Sequence, residues 1–310
     1  MHFIDFICTL SIFMCMFTPL NQNQVIMKNI ATLFMFFVAT SAMLAGGVSS
    51  AEKKALVKLY KSTNGSQWTN KWDLKKPVST WYGIKIQNDK VVAIDLSNNN
   101  LTGELPKEIG SLENLQQLSL FKNAISGNIP ATIGNLKSLK SLNLSFNKLS
   151  GNIPATIGNA TSLESVEIYM NALTGDIPAE MGKLKKLRIL SLFNNELTGS
   201  IPATVYTLTS LKSLLLSSNK LSGNLSREVA NLTSLESLSL FENNMQGQVP
   251  FDLEKLSNLK EMNISYNQFS GLVSRSLAQL DTLNMTMIND KGVAVVLPVK
   301  DKSSAIAAED

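Results

Sequence analysis

The sequence predicts an α/β solenoid, in which coils of equal length stack and each contributes one short strand to a shared parallel sheet. Three observations predict it: asparagine recurs every 24 residues without insertion or deletion, the same apolar frame surrounds each asparagine, and a glycine follows each one at a fixed offset. The eight asparagines are Asn99, Asn123, Asn147, Asn171, Asn195, Asn219, Asn243 and Asn267. A single coil of this kind cannot bury its apolar side, so the coils must stack to form a core.

The leucines of each unit indicate a short strand. Side chains two residues apart point to the same side of a strand, so Leu118 and Leu120 are expected in the core while Ser119 and Phe121 face outward. Neighbouring units then stack at the strand spacing of about 4.7–4.9 Å. The asparagine amide both donates and accepts, so a column of them is expected to satisfy backbone groups where the chain leaves the sheet. The glycine indicates a positive φ, and the proline that follows in six units favours an extended back side.

Composition and charge exclude several classes of function. The chain has 310 residues, a formal net charge of +4 and no run of lysines or arginines, so we expect no nucleic-acid partner. His2 is the single histidine, and Cys8 and Cys15 are the two cysteines. The body of the protein therefore lacks Ser-His and Cys-His nucleophile pairs, Cys/His zinc sites and disulfides. We expect a protein that is not an enzyme and that holds no cofactor or metal.

The N-terminal segment has the pattern of an export signal. Residues 27–51 begin with Met27 and Lys28, continue through an apolar stretch and end in small residues, as a secretory signal peptide does. We interpret Met27 as the working start, residues 1–26 as a misassigned upstream extension, and the cleavage site as near Ser50 or Ala51. The alternative is an uncleaved membrane anchor or two-helix hairpin. Both interpretations export the rest of the chain, so we expect it to be secreted or at the cell surface.

Residues 52–92 are predicted to form an N-terminal capping region made of a helix and a β-hairpin. Leu56, Leu59 and Tyr60 lie on one stripe of a helix that ends at Asn64. Apolar residues on both sides of Asn88 and Asp89 indicate a hairpin that leads into the first repeat. Three tryptophans are expected to cover the exposed end of the leucine core, with a sugar-binding platform as the alternative: Trp68, Trp72 and Trp81.

Residues 93–293 are predicted to hold the eight 24-residue units and part of a ninth. The partial unit is traced through four apolar residues, Leu280, Leu283, Ile288 and Val293, and Lys291 stands where the next asparagine is due. Residues 294–310 are expected to form a C-terminal cap and tail.

The unit that runs from Leu139 to Pro154, with its Leu-Ser-Gly-Asn-Ile-Pro ending, resembles the plant-type leucine-rich repeat. The resemblance covers about Ala93 to Val293 and implies a curved right-handed superhelix with a parallel, concave β-sheet and an extended or 3-10 helical convex side. Receptor-kinase ectodomains and polygalacturonase-inhibiting proteins are built in this way. The capping region resembles bacterial and protist versions, because Ile86 stands where the plant cap normally carries a cysteine.

The candidate binding residues lie on the outer side of the predicted sheet. Two residues before an asparagine stand four aromatic residues, Phe121, Tyr169, Phe193 and Phe241, and four residues before an asparagine stand Glu167 and Asn143. Exposed aromatic rings among small polar residues suit a protein, peptide or glycan ligand. The alternative is that the rings only stack against their neighbours.

These features together predict an exported, monomeric recognition module that binds a protein, peptide or glycan through its concave face. Two alternatives stay open. The repeats could form an adhesive or ice-binding scaffold that uses the serine and asparagine columns, or, as the resemblance implies, the protein could inhibit a secreted polysaccharide-degrading enzyme.

Overall fold

The computed structural model of the protein describes residues 47–281, 283 and 285–300. From Val48 onward these residues belong to one compact unit. The predicted upstream extension (residues 1–26), residues 27–46 of the predicted signal peptide and residues 301–310 of the predicted tail lie outside the described residues. In the part of the chain that is described, no helix is long and apolar enough to cross a membrane.

The elements alternate between short strands and 3-10 helices along the repeats. The α-helices in the described residues are α1 (Ser50–Ser62) and α2 (Arg275–Ala278). The strands are β1 (Ile84–Gln87), β2 (Lys90–Asp95), β3 (Thr102–Glu104), β4 (Gln117–Ser119), β5 (Ala124–Gly127), β6 (Ser141–Asn143), β7 (Lys148–Asn152), β8 (Ser165–Glu167), β9 (Ala172–Asp176), β10 (Ile189–Ser191), β11 (Glu196–Thr198), β12 (Ser213–Leu215), β13 (Ser222–Asn224), β14 (Ser237–Ser239), β15 (Asn244–Gln248), β16 (Glu261–Asn263), β17 (Gln268–Ser270), β18 (Val273–Ser274), β19 (Thr286–Ile288), β20 (Ala294–Val296) and β21 (Val299–Lys300). The 3-10 helices are Gly65–Gln67, Val78–Thr80, Lys107–Ser111, Ala131–Asn135, Ala155–Asn159, Ala179–Lys183, Ala203–Thr207, Arg227–Asn231 and Phe251–Lys255.

Helix α1 begins with a capping box between Ser49 and Glu52. The Ser49 hydroxyl accepts from the Glu52 N–H, and the Glu52 carboxylate accepts in return from the Ser49 N–H, both at 3.3 Å. The other oxygen of Glu52 accepts from the N–H of Val91 at 3.1 Å and so ties the helix to β2. The predicted stripe is confirmed for Leu56 and Leu59, which are buried.

The three tryptophans cover the first coil, as the capping hypothesis predicts. All three are buried, and their rings contact one another in sequence, with centroids 4.9 Å apart for Trp68 and Trp72 and 4.8 Å apart for Trp72 and Trp81. Each indole N–H donates to a backbone carbonyl, for example Trp68 to Thr63 at 2.8 Å. Buried faces and satisfied N–H groups leave no platform for a sugar, so that alternative is wrong.

One nine-stranded sheet runs the length of the repeats in the order β1-β2-β4-β6-β8-β10-β12-β14-β16. β1 and β2 form the predicted hairpin. Asn88 and Asp89 form its turn, and both have positive φ. From β2 onward every pairing in this sheet is parallel and in register, so that Leu118 lies opposite Leu142 in the next strand. The inward leucines and isoleucines form one continuous core.

The asparagine column hydrogen-bonds the backbone as predicted. The side-chain amide of Asn147 donates to the carbonyls of Leu120, Leu144 and Ser145 at 3.0, 3.0 and 3.2 Å, and its oxygen accepts from the N–H of Ile125 at 3.0 Å. One asparagine therefore links its own coil to the preceding one. From Asn123 to Asn267 this arrangement repeats.

Each coil turns away from the sheet through two residues with positive φ. The glycine of every unit has the predicted positive φ, and at Gly151, where φ is 69°, a Cβ would lie 2.3 Å from the side-chain oxygen of Asn128. The residue just before each repeat asparagine also has positive φ; these are Asn98, Lys122, Phe146, Met170, Asn194, Ser218, Glu242 and Tyr266. The prolines are extended, and a 3-10 helix follows directly, as after Pro154.

In each coil a second short strand comes after the strand of the nine-stranded sheet. These second strands pair with one another in two separate ladders, which meet between the fifth and sixth coils. Strands β3, β5, β7, β9 and β11 form one ladder, and β13, β15 and β17 form another. At this boundary Tyr206 occupies the position that is glycine in the four preceding coils, such as Gly182, where a Cβ would lie 2.5 Å from the Cβ of Thr204 in the next coil. Two backbone hydrogen bonds still join the coils at this boundary, from the Lys220 N–H to the Leu197 carbonyl at 2.8 Å and from the Ser222 N–H to the Gly199 carbonyl at 2.7 Å.

The ninth coil differs from the predicted one. Met262 on β16 lies opposite Asp281, whereas a 24-residue repeat would place Thr286 there. The Asp281 carboxylate accepts from the N–H of Ile264 at 2.8 Å and closes the end of the sheet.

The predicted apolar positions of this coil are therefore corrected. Leu283 and Val293 are exposed, at 39% and 55%, and Leu280 and Ile288 are only half-buried. Met285, Met287 and Leu297 fill the core instead. The shortened coil moves the register, and β19 and β20 form an antiparallel hairpin in place of a repeat strand.

Candidate functional site

The outward side of the nine-stranded sheet, here called the sheet face, holds all six predicted binding residues. Asn143 at the end of β6 and Glu167 at the end of β8 are direct partners across the ladder, and Ser191 at the end of β10 is the next partner after Glu167. Tyr169 and Phe193 follow two residues after Glu167 and Ser191. Asn143, Glu167, Tyr169 and Phe193 therefore occupy three adjacent coils.

The aromatic residues of the sheet face pack on one another in a chain of ring contacts, which we call the aromatic ladder: Phe121, Phe146, Tyr169 and Phe193. Ring centroids are 5.3 Å apart for Phe121 and Phe146, 5.5 Å for Phe146 and Tyr169, and 4.3 Å for Tyr169 and Phe193. The first two contacts are edge to face and the third is stacked. These are the geometries that aromatic pairs prefer.

The four predicted aromatic residues are half-buried, where the sequence predicted exposed rings. The reason is that each ring packs on a neighbouring aromatic ring, which lies in the ladder for three of them and is Tyr266 for Phe241. None of the four lies in the core. The stacking alternative is thus correct as a description of their contacts, and the outer surfaces of the rings still form part of the sheet face.

Phe146 is a member of the ladder that the sequence analysis missed. It is 39% exposed, and it joins Phe121 to Tyr169 across a coil whose strand column carries Ser145. Phe146 stands one residue before Asn147 with φ of 54°, so it belongs to the turn and not to the strand. The column just before the repeat asparagines is polar apart from Phe146, Met170 and Tyr266, and an aromatic residue in it was the signal that could have identified Phe146.

Phe241 stands apart from the ladder. Its neighbour is Tyr266, 42% exposed and likewise missed, with ring centroids 5.3 Å apart. Ser217 occupies the same column between Phe193 and Phe241. The structure therefore divides the predicted aromatic set into a four-ring ladder and a separate pair two coils further along.

Glu167 provides the acidic group next to the ladder. It is half-buried, and its carboxylate accepts a hydrogen bond of 2.9 Å from the Ser165 hydroxyl. Burial raises the pKa of the Tyr169 phenol, and the nearby Glu167 carboxylate raises it further. Within the described part of the chain Glu167 forms no ion pair.

A shallow depression lies beside the ladder, at the edge where the coils leave the sheet. Its lining includes Phe146, Met170 and Asn194, together with the exposed amines Lys122 and Lys148. In the residues that the structure describes, no group of three or more His, Cys, Asp or Glu is arranged to hold a metal ion. The arrangement offers apolar ring surface, hydrogen-bonding groups and isolated charges, which are the components of a recognition surface.

Comparison with known proteins agrees with this architecture. A family model described as a leucine-rich repeat region matches residues 94–192 and 169–294. A probable leucine-rich repeat receptor-like protein kinase of Arabidopsis thaliana is 44% identical over 77 residues, which are 20% of this chain. Polygalacturonase inhibitor 1 of the same plant is 30% identical over 90 residues, which are 28% of this chain.

Among solved structures, the ectodomain of the Arabidopsis receptor kinase HAESA in complex with an N-terminally extended IDA peptide hormone is similar. It is 29% identical with a TM-score of 0.66, and the match covers 80% of this chain and 41% of that one. The match to the receptor-like kinase covers 8% of that protein, and the match to the inhibitor covers 27%. The similarity therefore lies in the repeats and reaches only part of each relative.

Proposed function

The chain belongs to the leucine-rich repeat family, and from that premise we propose that it is an exported recognition module that binds a protein or peptide through the aromatic ladder of its sheet face. The observation that supports this most is the continuous contact of Phe121, Phe146, Tyr169 and Phe193 on a sheet face otherwise rich in serine. Large rings held in place by their neighbours bury apolar area with little further loss of side-chain entropy.

The relatives support a protein or peptide as the partner. HAESA binds a peptide hormone through a leucine-rich repeat ectodomain, and the Arabidopsis inhibitor is named for its action on a polygalacturonase. Both partners are polypeptides. Export is supported by the pattern of residues 27–51 and by the extracellular placement that an ectodomain implies.

The test is affinity capture from the surrounding medium with the full chain, followed by mass spectrometry. The ladder variant replaces Phe121, Phe146, Tyr169 and Phe193 with alanine. Phe251→Ala is the matched control, since Phe251 is 53% exposed but begins a 3-10 helix on the other side of the coils. We expect the native chain and the control to capture the same partner and the ladder variant to lose it while circular dichroism shows a folded array. A folded ladder variant that retains the partner contradicts the proposal.

Phe241 and Tyr266 are tested separately by a double alanine variant. The original set of binding residues included Phe241, and this variant decides whether the surface extends to the second aromatic pair. Loss of the partner in this variant extends the surface to the seventh and eighth coils, and retention limits it to the ladder.

The ice-binding alternative receives no support from the asparagine column. The amides of the repeat asparagines donate to carbonyls within and between coils, as at Asn147 and Asn219, so they are not presented to solvent as a regular array. The outward serine columns are interrupted by the ladder rings. Two measurements test the alternatives to a polypeptide ligand. Inhibition of ice recrystallisation by the purified chain would favour an ice-binding scaffold, and binding on a glycan array would favour a glycan ligand.

A further inference from the structure

We infer that the sheet face contains a subsite for one positively charged side chain, an arginine or lysine of the partner polypeptide, with Glu167 as its counter-charge. This inference rests on the proposed function and specifies the chemistry of the partner. The residues that we assign to the subsite, called the Glu167 subsite, are Asn143, Ser145, Glu167, Tyr169, Ser191 and Phe193.

The topology brings these six residues together. Glu167 has Asn143 on one side and Ser191 on the other in the parallel ladder, and neighbouring strands of a sheet lie about 4.8 Å apart. Ser145, Tyr169 and Phe193 form the adjacent column, two residues further along the same coils. The subsite therefore has an acidic centre, polar neighbours on both sides and a stacked aromatic pair along one edge.

The charge of Glu167 is unmatched, in contrast to the charges of Glu236 and Asp252. Glu236 receives the amines of Lys212 and Lys260 at 2.6 Å each, and Asp252 receives Arg227 and Lys255 at 2.7 and 2.6 Å. Glu167 is half-buried by its neighbours. No lysine or arginine of the described residues lies within ion-pair distance of its carboxylate. A partly desolvated carboxylate without a counter-charge favours a cation brought by a ligand.

One buried hydroxyl next to Glu167, that of Ser191, also lacks a hydrogen bond. Ser191 is 3% exposed, and its hydroxyl oxygen makes no hydrogen bond with another described residue. The hydroxyl of Ser145, which is fully buried, faces the Tyr169 phenol. Buried hydroxyls normally have a partner, because leaving one unsatisfied is costly. The N–H groups of a ligand are suitable partners, since a serine oxygen accepts as well as donates.

The geometry favours a long basic side chain over a small cation. Arginine and lysine carry three or four methylene groups that pack on apolar surface while the charged head reaches a polar group. The edges of the Tyr169 and Phe193 rings provide that surface two residues away from Glu167. A guanidinium has five N–H donors, enough to meet the Glu167 carboxylate and the adjacent serine hydroxyl together.

The test is selection of a library of random linear peptides on the full chain. Three forms of the protein are compared: the native chain, Glu167→Gln, and Glu242→Gln as the matched control. Glu242 is an exposed carboxylate on the turn edge of the seventh coil, outside the subsite. We expect the native chain and the control to enrich peptides with a shared arginine or lysine position, and Glu167→Gln to lose that preference.

A double-mutant cycle then tests the contact itself. The best basic peptide is compared with the same peptide carrying citrulline, which keeps the shape of arginine without its charge. We expect citrulline to weaken binding to the native chain about tenfold or more, and to have little effect on binding to Glu167→Gln.

The outcomes separate this inference from the proposed function. Enriched peptides without a shared basic position, or a basic preference that survives Glu167→Gln, overturn the subsite and leave peptide recognition intact. Equal citrulline effects in both proteins overturn it as well. A native chain that enriches no peptide contradicts recognition of linear peptides and the subsite together.

Discussion

Tyr169 and Phe193 stack across neighbouring coils, with ring centroids 4.3 Å apart and ring planes 12° apart. The repeat places them side by side in the same column, and the parallel sheet keeps them close to the spacing at which two rings make contact. The pair lies at the end of the ladder and along the edge of the Glu167 subsite. It is therefore the structural link between the apolar and the charged parts of the surface.

The stacked pair is expected to stabilise the array as well as to bind. A double-mutant cycle with Tyr169→Ala, Phe193→Ala and the double variant should give a coupling free energy of about 0.5–1.5 kcal/mol, because each single change already removes the ring contact. Urea unfolding followed by circular dichroism measures it. Strictly additive effects would show that the rings are adjacent without interacting.

The asparagine column should carry a large share of the stability of each coil. Asn147→Ala removes three donor contacts and one acceptor contact at buried backbone groups. We expect the free energy of unfolding to fall by at least about 2 kcal/mol. Asn128→Ala, at an exposed position one coil earlier, is the control and should change it by no more than about 0.5 kcal/mol. A loss no larger at Asn147 than at Asn128 would refute this role.

Alkaline pH should destabilise the protein through Tyr206. Burial raises the pKa of this phenol to about 12, whereas in the unfolded chain it ionises near pH 10. The folded state therefore keeps a proton that the unfolded state releases, so the stabilisation is complete below about pH 10 and is lost progressively between pH 10 and 12.

Two phenylalanine variants isolate this effect. Tyr206→Phe should lose less stability than the native chain between pH 9 and pH 11, measured by urea midpoints. Tyr82→Phe, at a 48% exposed position, should follow the native chain. Identical pH profiles for Tyr206→Phe and the native chain would show that this phenol does not contribute.

The position of the signal-peptide cut decides whether helix α1 keeps its N-terminal cap. The predicted cleavage near Ser50 or Ala51 would remove Ser49 and with it the capping box, which is worth about 1 kcal/mol. We therefore expect a chain that begins at Ala51 to be less stable by about 1 kcal/mol than one that keeps Ser49. Urea unfolding of the two purified forms measures this, and equal midpoints would contradict it.

The repeat explains how much of the fold and the site could be predicted. A fixed period gives each position the same surroundings in every coil, so the strand leucines, the asparagine hydrogen bonds and the positive φ of the glycines follow from one unit. The same period placed Asn143, Glu167, Tyr169 and Phe193 on neighbouring coils of one face.

The remaining features depend on contacts between columns or on a break in the period. Phe146 belongs to the turn, and only its positive φ and its two ring contacts place it in the ladder. Partial burial of the four predicted rings follows from ring contacts of this kind, including those of Tyr169 with Phe193 and of Phe241 with Tyr266. Asp281 closes the sheet because the ninth coil is short, and nothing in the preceding eight units indicates that length.

Hydroxyl-radical footprinting of the complex with the captured partner tests the central claim most directly. Phe146 and Phe251 are both exposed phenylalanines, one on the ladder and one on the opposite side of the coils. We predict that the partner lowers the oxidation of Phe146 severalfold and leaves that of Phe251 unchanged. Protection of Phe251 with Phe146 as reactive as in the free protein would contradict recognition through the sheet face.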